Sequence, residues 1–273
     1  MIFKDRAVII TGGSEGVGAE TARLFAEAGA NLMLVARGKK KLEAIAEELR
    51  DKTRVEICPM DVSDPEAGVT LFKKTEYEYG RVDVLVNNAG YHARGPLESI
   101  EADDLARMVD VNLRAPIVLS RLAMPYLKKS DAAAIINVGS LAGRTPLPNS
   151  ATYGATKAGL RSFTYAISDE LHDSSIKVAV VSPGPIDTGF IMSDIDSVSD
   201  LTFSQPISTA REVAQTVLDL CGNRIREQSM PPASGLLTML TYLVPSLARF
   251  ARPMLERKGR KVKARLKVEK GQA

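Results

Sequence analysis

Thiols and imidazoles are scarce: two cysteines and two histidines serve a chain of 273 residues. Cys58 and Cys221 stand far apart and without CxxC spacing, which fits two inert thiols in a reducing compartment and no disulfide framework. His92 and His172 have no cysteine or carboxylate at ligand spacing, so a zinc site is not expected. The N-terminus, Met1 to Arg6, runs almost directly into a strand and lacks the apolar core and small-residue cleavage site of a signal peptide. A cytoplasmic location is therefore expected. The apolar segment 236–244 stops at Pro245, far short of the roughly 20 residues that cross a bilayer. Internal repeats, low-complexity tracts and interdomain linkers are missing as well.

What is present is an alternation. Apolar, β-branched runs at 7–10, 31–35, 55–58, 82–86, 134–138 and 178–181 predict six strands. Segments of helical period at 17–29, 39–51, 65–79, 101–128 (interrupted around Pro116) and 152–172 lie between them. Strands apolar on both faces, separated by helix-length segments, imply a parallel sheet covered on both sides. The expected fold class is α/β: one Rossmann-type, doubly wound domain over residues 1–228, with a helical, basic extension over 229–273. Ser229 to Ala233 approximates a last strand.

Thr11-Gly12-Gly13-Ser14-Glu15-Gly16-Val17-Gly18 falls between the first strand and the first helix. Glycines there let the backbone turn sharply toward a dinucleotide pyrophosphate, while the helix N-terminus offers free N–H groups and partial positive charge. At the end of the second strand, NAD sites place a carboxylate for the adenosine ribose. Here the residues are Ala36-Arg37-Gly38-Lys39-Lys40, without an acid. Arg37 suits a clamp on a 2′-phosphate, so NADP(H) is favoured over NAD(H), while Lys39 to Lys41 also read as a solvated helix face.

Tyr153 and Lys157 are four residues apart on the long helix after strand five and so share a face. A lysine cation and the positive ring of an oxidised nicotinamide both favour phenolate, bringing a phenol with an ordinary pKa near 10 into a useful range for proton transfer. Ser140, just after strand five, is placed to hold a substrate oxygen. With the glycine turn and the strand order, the sequence resembles the short-chain dehydrogenase/reductase family over roughly residues 5–225. The resemblance implies a cofactor turn at Thr11, Gly12, Ser14, Gly16, Val17 and Gly18. It implies an adenine contact at Asp61 and Val62, a cofactor wall at Asn88, Ala89 and Gly90 after Asn87, and a nicotinamide-side grip at Pro183, Gly184, Ile186 and Thr188. It also implies a catalytic set of Asn112, Ser140, Tyr153 and Lys157, with Asn112 holding a water that links the lysine to solvent. Glu15 departs from the pattern, because many NADP-binding members carry a basic residue in that turn.

The segment from Phe190 to Gln205 is expected to be a substrate lid; it contains Phe190, Ile191, Met192, Ile195, Leu201 and Phe203 but no lysine or arginine. An apolar lid beside the apolar 236–244 segment argues for a hydrophobic ketone, aldehyde or secondary alcohol. Farther on, Leu247, Phe250, Ala251, Met254 and Leu255 recur at helical spacing among arginines and lysines. Two readings stay open for residues 246–273: an interfacial helix on anionic lipid, or a helix capping the pocket or a dimer contact. Nucleic-acid binding is not expected, since the last 20 residues have no aromatic and no binding module is recognisable. Family resemblance implies a homodimer or homotetramer. An NAD-dependent alcohol dehydrogenase and, in another class, a dinucleotide-sensing scaffold are the alternatives.

Overall fold

A computed structural model describes residues 3–269; Met1, Ile2 and residues 270–273 of the expected basic extension lie outside the described residues, as do the side chains of Leu247 and Ala248. Six strands and their helices alternate as the sequence pattern predicts. They are β1 (Ala7–Thr11), α1 (Gly16–Glu27), β2 (Asn31–Ala36), α2 (Lys39–Leu49), β3 (Val55–Pro59), α3 (Pro65–Tyr79), β4 (Val84–Asn87), α4 (Ala102–Val109), α5 (Ala115–Leu127), β5 (Ala134–Val138), α6 (Ala151–Glu170) and β6 (Lys177–Pro183). The short pair β7 (Ile186–Asp187) and β8 (Ser208–Thr209) flanks α7 (Gly189–Met192), and α8 (Ala210–Gly222) leads to β9 (Glu227–Met230). Two helices follow, α9 (Pro232–Leu243) and α10 (Pro245–Glu269).

The main sheet is entirely parallel, in the order β3-β2-β1-β4-β5-β6-β9. Its strands alternate between two apolar layers, which is why they read as continuous hydrophobic runs. Val8, Ile10, Leu32 and Leu34 face Phe25, Leu42, Leu49, Val213 and Val217 from α1, α2 and α8. Ile9, Met33, Val35 and Leu85 face Leu71, Phe72, Leu119 and Leu127 from α3 and α5. The strand order reverses between β1 and β4, and that crevice at the carboxyl ends is where ligands bind in open α/β sheets.

Two expectations need correction. The seventh strand is Glu227–Met230, not Ser229–Ala233, because Pro231 and Pro232 cannot donate to the ladder and instead open α9. That strand lies across the expected 228/229 division. The helical stretch 101–128 is broken at a π turn over Asp110–Arg114 and not at Pro116, which sits in the first turn of α5 where its missing N–H costs nothing.

Buried Glu227 ties the far edge together, accepting bonds from Arg161 at 2.9 Å, Tyr165 at 2.9 Å and Ser182 at 2.8 Å and pairing with Arg144 at 2.6 Å. Burial alone would raise its pKa, but these partners outweigh it and hold the carboxyl at about 2.

Candidate active site

The turn after β1 is built for close backbone approach. Gly12 and Gly16 take positive φ values of 66° and 55°. A Cβ at Gly12 would meet the Asn88 amide at 2.7 Å, and one at Gly18 would collide with the carbonyl of Gly12. Thr11 fixes the neighbouring loop: its hydroxyl donates to the Val86 carbonyl at 3.2 Å and accepts from the amides of Asn88 at 2.9 Å and Ala89 at 3.0 Å. Asn88 returns the bond by donating to the Thr11 carbonyl at 2.9 Å. Helix α1 starts with no side-chain cap and no acid in its first turn, so its N–H groups remain available to an anion. These features fit a dinucleotide pyrophosphate. Replacing Gly18 by Ala is expected to push the turn apart and weaken NADPH binding by at least tenfold, about 1.4 kcal/mol, in a fluorescence titration.

Arg37 projects from the end of β2 as an exposed side chain and lies near Asp61, whose carboxylate accepts from the Ser63 amide at 2.9 Å and hydroxyl at 2.7 Å. Val62 packs under the sheet's second layer. Lys39 and Lys40 are exposed, whereas Lys41 pairs with Glu15 at 2.7 Å. The acid that departs from the family pattern is thus faced by a cation from α2. Across the turn, Thr188 lies opposite Gly16, while Pro183 ends β6, Gly184 follows it and Ile186 opens β7. Gly90 adjoins Asn112.

The residues read as catalytic converge. Gly143 has no room for a side chain, since its Cβ would lie 2.6 Å from the backbone of Lys157. This close approach presses the turn at Leu141–Gly143 onto α6 and brings Ser140 into hydrogen-bonding reach of the Tyr153 phenol. Lys157 is 5% exposed; its Nζ donates to the Val138 carbonyl at 2.7 Å and stands 5.8 Å from the centre of the Tyr153 ring. Burial pushes the Lys157 pKa down to about 8. Burial also raises the pKa of Tyr153, opposed by Ser140 and by the positive charge of Arg94. Asn112, fully buried in the π turn, donates to the Tyr91 carbonyl at 2.7 Å and accepts from the Tyr91 amide at 2.8 Å. It therefore fixes the loop that follows Gly90 against the base of α6, where Thr156 lies 3.4 Å away.

One cavity of about 1020 Å³ joins the glycine turn, Asn88 to Gly90, Ser140, Tyr153, Lys157 and Pro183 to Ile191. Comparisons with known proteins bear on the family and the fold. A profile of the short chain dehydrogenases matches residues 6–198. The chain belongs to this family. It is an NAD(P)-dependent oxidoreductase. An uncharacterized oxidoreductase of Staphylococcus saprophyticus is 35% identical over 206 residues, 75% of this chain and 82% of the relative. Sulfoacetaldehyde reductase 2 of Chromohalobacter salexigens is 36% identical over 187 residues, 68% and 74% of the two chains. Among solved structures, a short chain dehydrogenase from Burkholderia cenocepacia in complex with NADP gives a TM-score of 0.75 at 28% identity, covering 83% of this chain and 96% of that one. A metagenomic short-chain oxidoreductase, also in complex with NADP, gives 0.72 at 30% identity, covering 84% and 98%.

Two residues of this short-chain dehydrogenase, His92 and Arg94, escaped the sequence reading of its site. His92 stacks on Tyr153, ring centres 4.0 Å apart and 12° from parallel, with a buried Nε2 that lacks a hydrogen-bond partner among the described residues. Burial, reinforced by the cations of Arg94 and Lys157, pushes its pKa down to about 3, so the ring stays neutral. Arg94 donates to the Phe190 carbonyl at 2.6 Å and lies over the Phe190 ring. Both lie within four residues of the end of the Asn-Asn-Ala-Gly motif, and that proximity was the available signal. Phe190 was read as lid, and the structure sets its ring 6.4 Å from that of Tyr153.

Proposed function

We propose that the enzyme transfers hydride between NADP(H) and a hydrophobic ketone, aldehyde or secondary alcohol, with Tyr153 as general acid and base. The observation that carries this reading is the convergence of Ser140, Tyr153 and Lys157 on the cavity lined by the glycine turn. Bound nicotinamide supplies or accepts the hydride. Tyr153 moves the proton to or from the substrate oxygen, and Ser140 donates a hydrogen bond to that oxygen as charge develops on it. The Lys157 ammonium favours the phenolate at close range, in surroundings that weaken its screening. Asn112 positions the wall of the site through Tyr91. On the substrate side the walls include Leu141, Leu147, Ile191, Leu201, Leu237 and Leu255, which supports a lipophilic carbonyl compound. Assembly as a homodimer or homotetramer through α5 and α6 belongs to the same reading.

The test is a screen of lipophilic ketones and aldehydes for oxidation of NADPH by the purified protein. Turnover of short polar carbonyls alone would overturn the substrate class. A second reading rests on Arg94, whose guanidinium reaches the cavity without a carboxylate in ion-pair range among the described residues. It favours a carbonyl compound bearing an anionic group, as the name of the Chromohalobacter relative suggests, and the same screen should include sulfonated and carboxylated aldehydes.

For cofactor choice, Arg37→Gln is expected to weaken NADPH binding roughly tenfold to a hundredfold and leave NADH unchanged, as loss of a charge-assisted phosphate contact requires. Equal loss for both cofactors in a fluorescence titration would remove Arg37 from the 2′-phosphate site.

A further inference from the structure

The helices that follow β9 expose an unusual face. From Gln228 to Leu255 the chain contains no acidic residue. On α10, Phe250, Met254, Arg257 and Lys261 recur at steps of four, three and four, so they form one stripe along the helix. Phe250 is 87% exposed and Met254 69%. On α9, Leu236, Leu240 and Leu243 form a similar exposed stripe, with Leu243 69% exposed.

The opposite side of α10 is committed elsewhere. Gly259 lies so close to the Asp200 carbonyl that no side chain fits, and Val262 and Leu266 pack on Ile191, Ile195 and Phe203 of the segment read as lid. Lys263 donates to the Val198 carbonyl at 2.7 Å, Arg260 bonds Asp200 at 3.1 Å and Lys267 pairs with Asp196. These inner cations are neutralised by the lid. Arg257, Lys258 and Lys261 have no ion-pair partner among the described residues.

We infer that the outer face of α9 and α10 lies on an anionic lipid surface and that the substrate cavity opens toward that surface. Exposed leucine, phenylalanine and methionine beside unpaired arginine and lysine match the apolar boundary and negative headgroups of such a surface. A second copy of the chain fits less well, because two-fold contact would set one acid-free, basic stripe against another. No described helix is long and apolar enough to cross a membrane, so the contact is interfacial. Leu237, Tyr242, Arg249 and Leu255 border both this face and the cavity, so a lipophilic carbonyl compound would pass between α9 and α10. Only this route into the cavity rests on the substrate reading above; the lipid contact does not.

The test is sedimentation of the full chain with vesicles of phosphatidylcholine, with and without phosphatidylglycerol. The protein is expected to sediment with the anionic vesicles, less so as salt rises, and weakly with neutral ones. Combining Arg257→Gln, Lys258→Gln and Lys261→Gln should lower partitioning on the order of a hundredfold, about fivefold per charge. Leu243→Ser with Phe250→Ser and Met254→Ser should lower it as well, with NADPH binding and circular dichroism retained by both variants. Absence of sedimentation, equal sedimentation with neutral vesicles, or unchanged partitioning of the charge variant would overturn the inference. So would a serine variant that shifts the oligomer size in light scattering while vesicle binding stays the same. Because vesicle binding is read without turnover, failure of the ketone screen would leave the lipid contact standing.

Discussion

Tyr153→Phe is expected to lower turnover by about a thousandfold while NADPH still binds, the loss typical of a general acid that touches the reacting oxygen. The substitution removes one hydroxyl from a ring that is otherwise held on several sides. His92 stacks on one face, Phe190 tilts nearby, and the backbone at 153 belongs to the first turn of α6. Phenylalanine fills the same space, so the glycine turn, Lys157 and the cavity walls should keep their places. Ser140 keeps its bond from the Ala142 amide at 3.1 Å and is not left unpaired. The effect should therefore fall on kcat, with KM for the carbonyl compound changed little. Stopped-flow absorbance of NADPH measures it directly. A variant that kept a tenth or more of the wild-type rate would take the proton away from Tyr153 and with it the proposed mechanism. Loss of NADPH binding in the same variant would instead point to a purely structural phenol.

Much of this was legible in the sequence because it depends on local period and local spacing. Val8 and Ile10 enter one layer and Ile9 the other, and that alternation within β1 is written in three consecutive apolar residues. Tyr153 and Lys157 share a helix face whatever surrounds them. Other features depend on groups that meet only after folding. The π turn at Asp110–Arg114 has no compositional mark, and Asn112 finds Tyr91 only once the loop after Gly90 has folded back on it. Among lid residues, attention to the apolar positions passed over Asp196 and Asp200, whose partners Lys267 and Arg260 lie 71 and 60 positions away. The basic extension, read either as a lipid-surface helix or as a helix capping the pocket or a dimer contact, is therefore two-sided, one row of cations holding the lid and another facing outward. His92 was weighed only as a metal ligand, and its actual neighbour, the Tyr153 ring, is 61 positions farther along the chain.

Lys157→Met is expected to separate stability from activity in opposite directions. In the wild type, burial lowers the lysine pKa from 10.5 to about 8, so the folded state holds that proton less tightly than the unfolded chain does. Between those two values the unfolded chain binds more protons, and stability rises with pH. Below about 8 the full penalty for a buried ammonium is present, on the order of 3 kcal/mol for this shift. Methionine fills a similar volume without that penalty but leaves the Val138 carbonyl without its donor, which costs about 1 kcal/mol. The cofactor-free variant should therefore gain about 2 kcal/mol in urea unfolding at pH 7, with the gain shrinking toward pH 10. Turnover should meanwhile fall by at least a hundredfold, since the ammonium 5.8 Å from the Tyr153 ring is lost and the remaining nearby cation, Arg94, is held on the Phe190 carbonyl. A variant less stable than wild type at pH 7, or equally stabilised at pH 7 and pH 10, would show that the ammonium carries no burial penalty. In that case Lys157 would be held by the fold for its packing and its bond to Val138, and the site would store no electrostatic strain for the phenol to use.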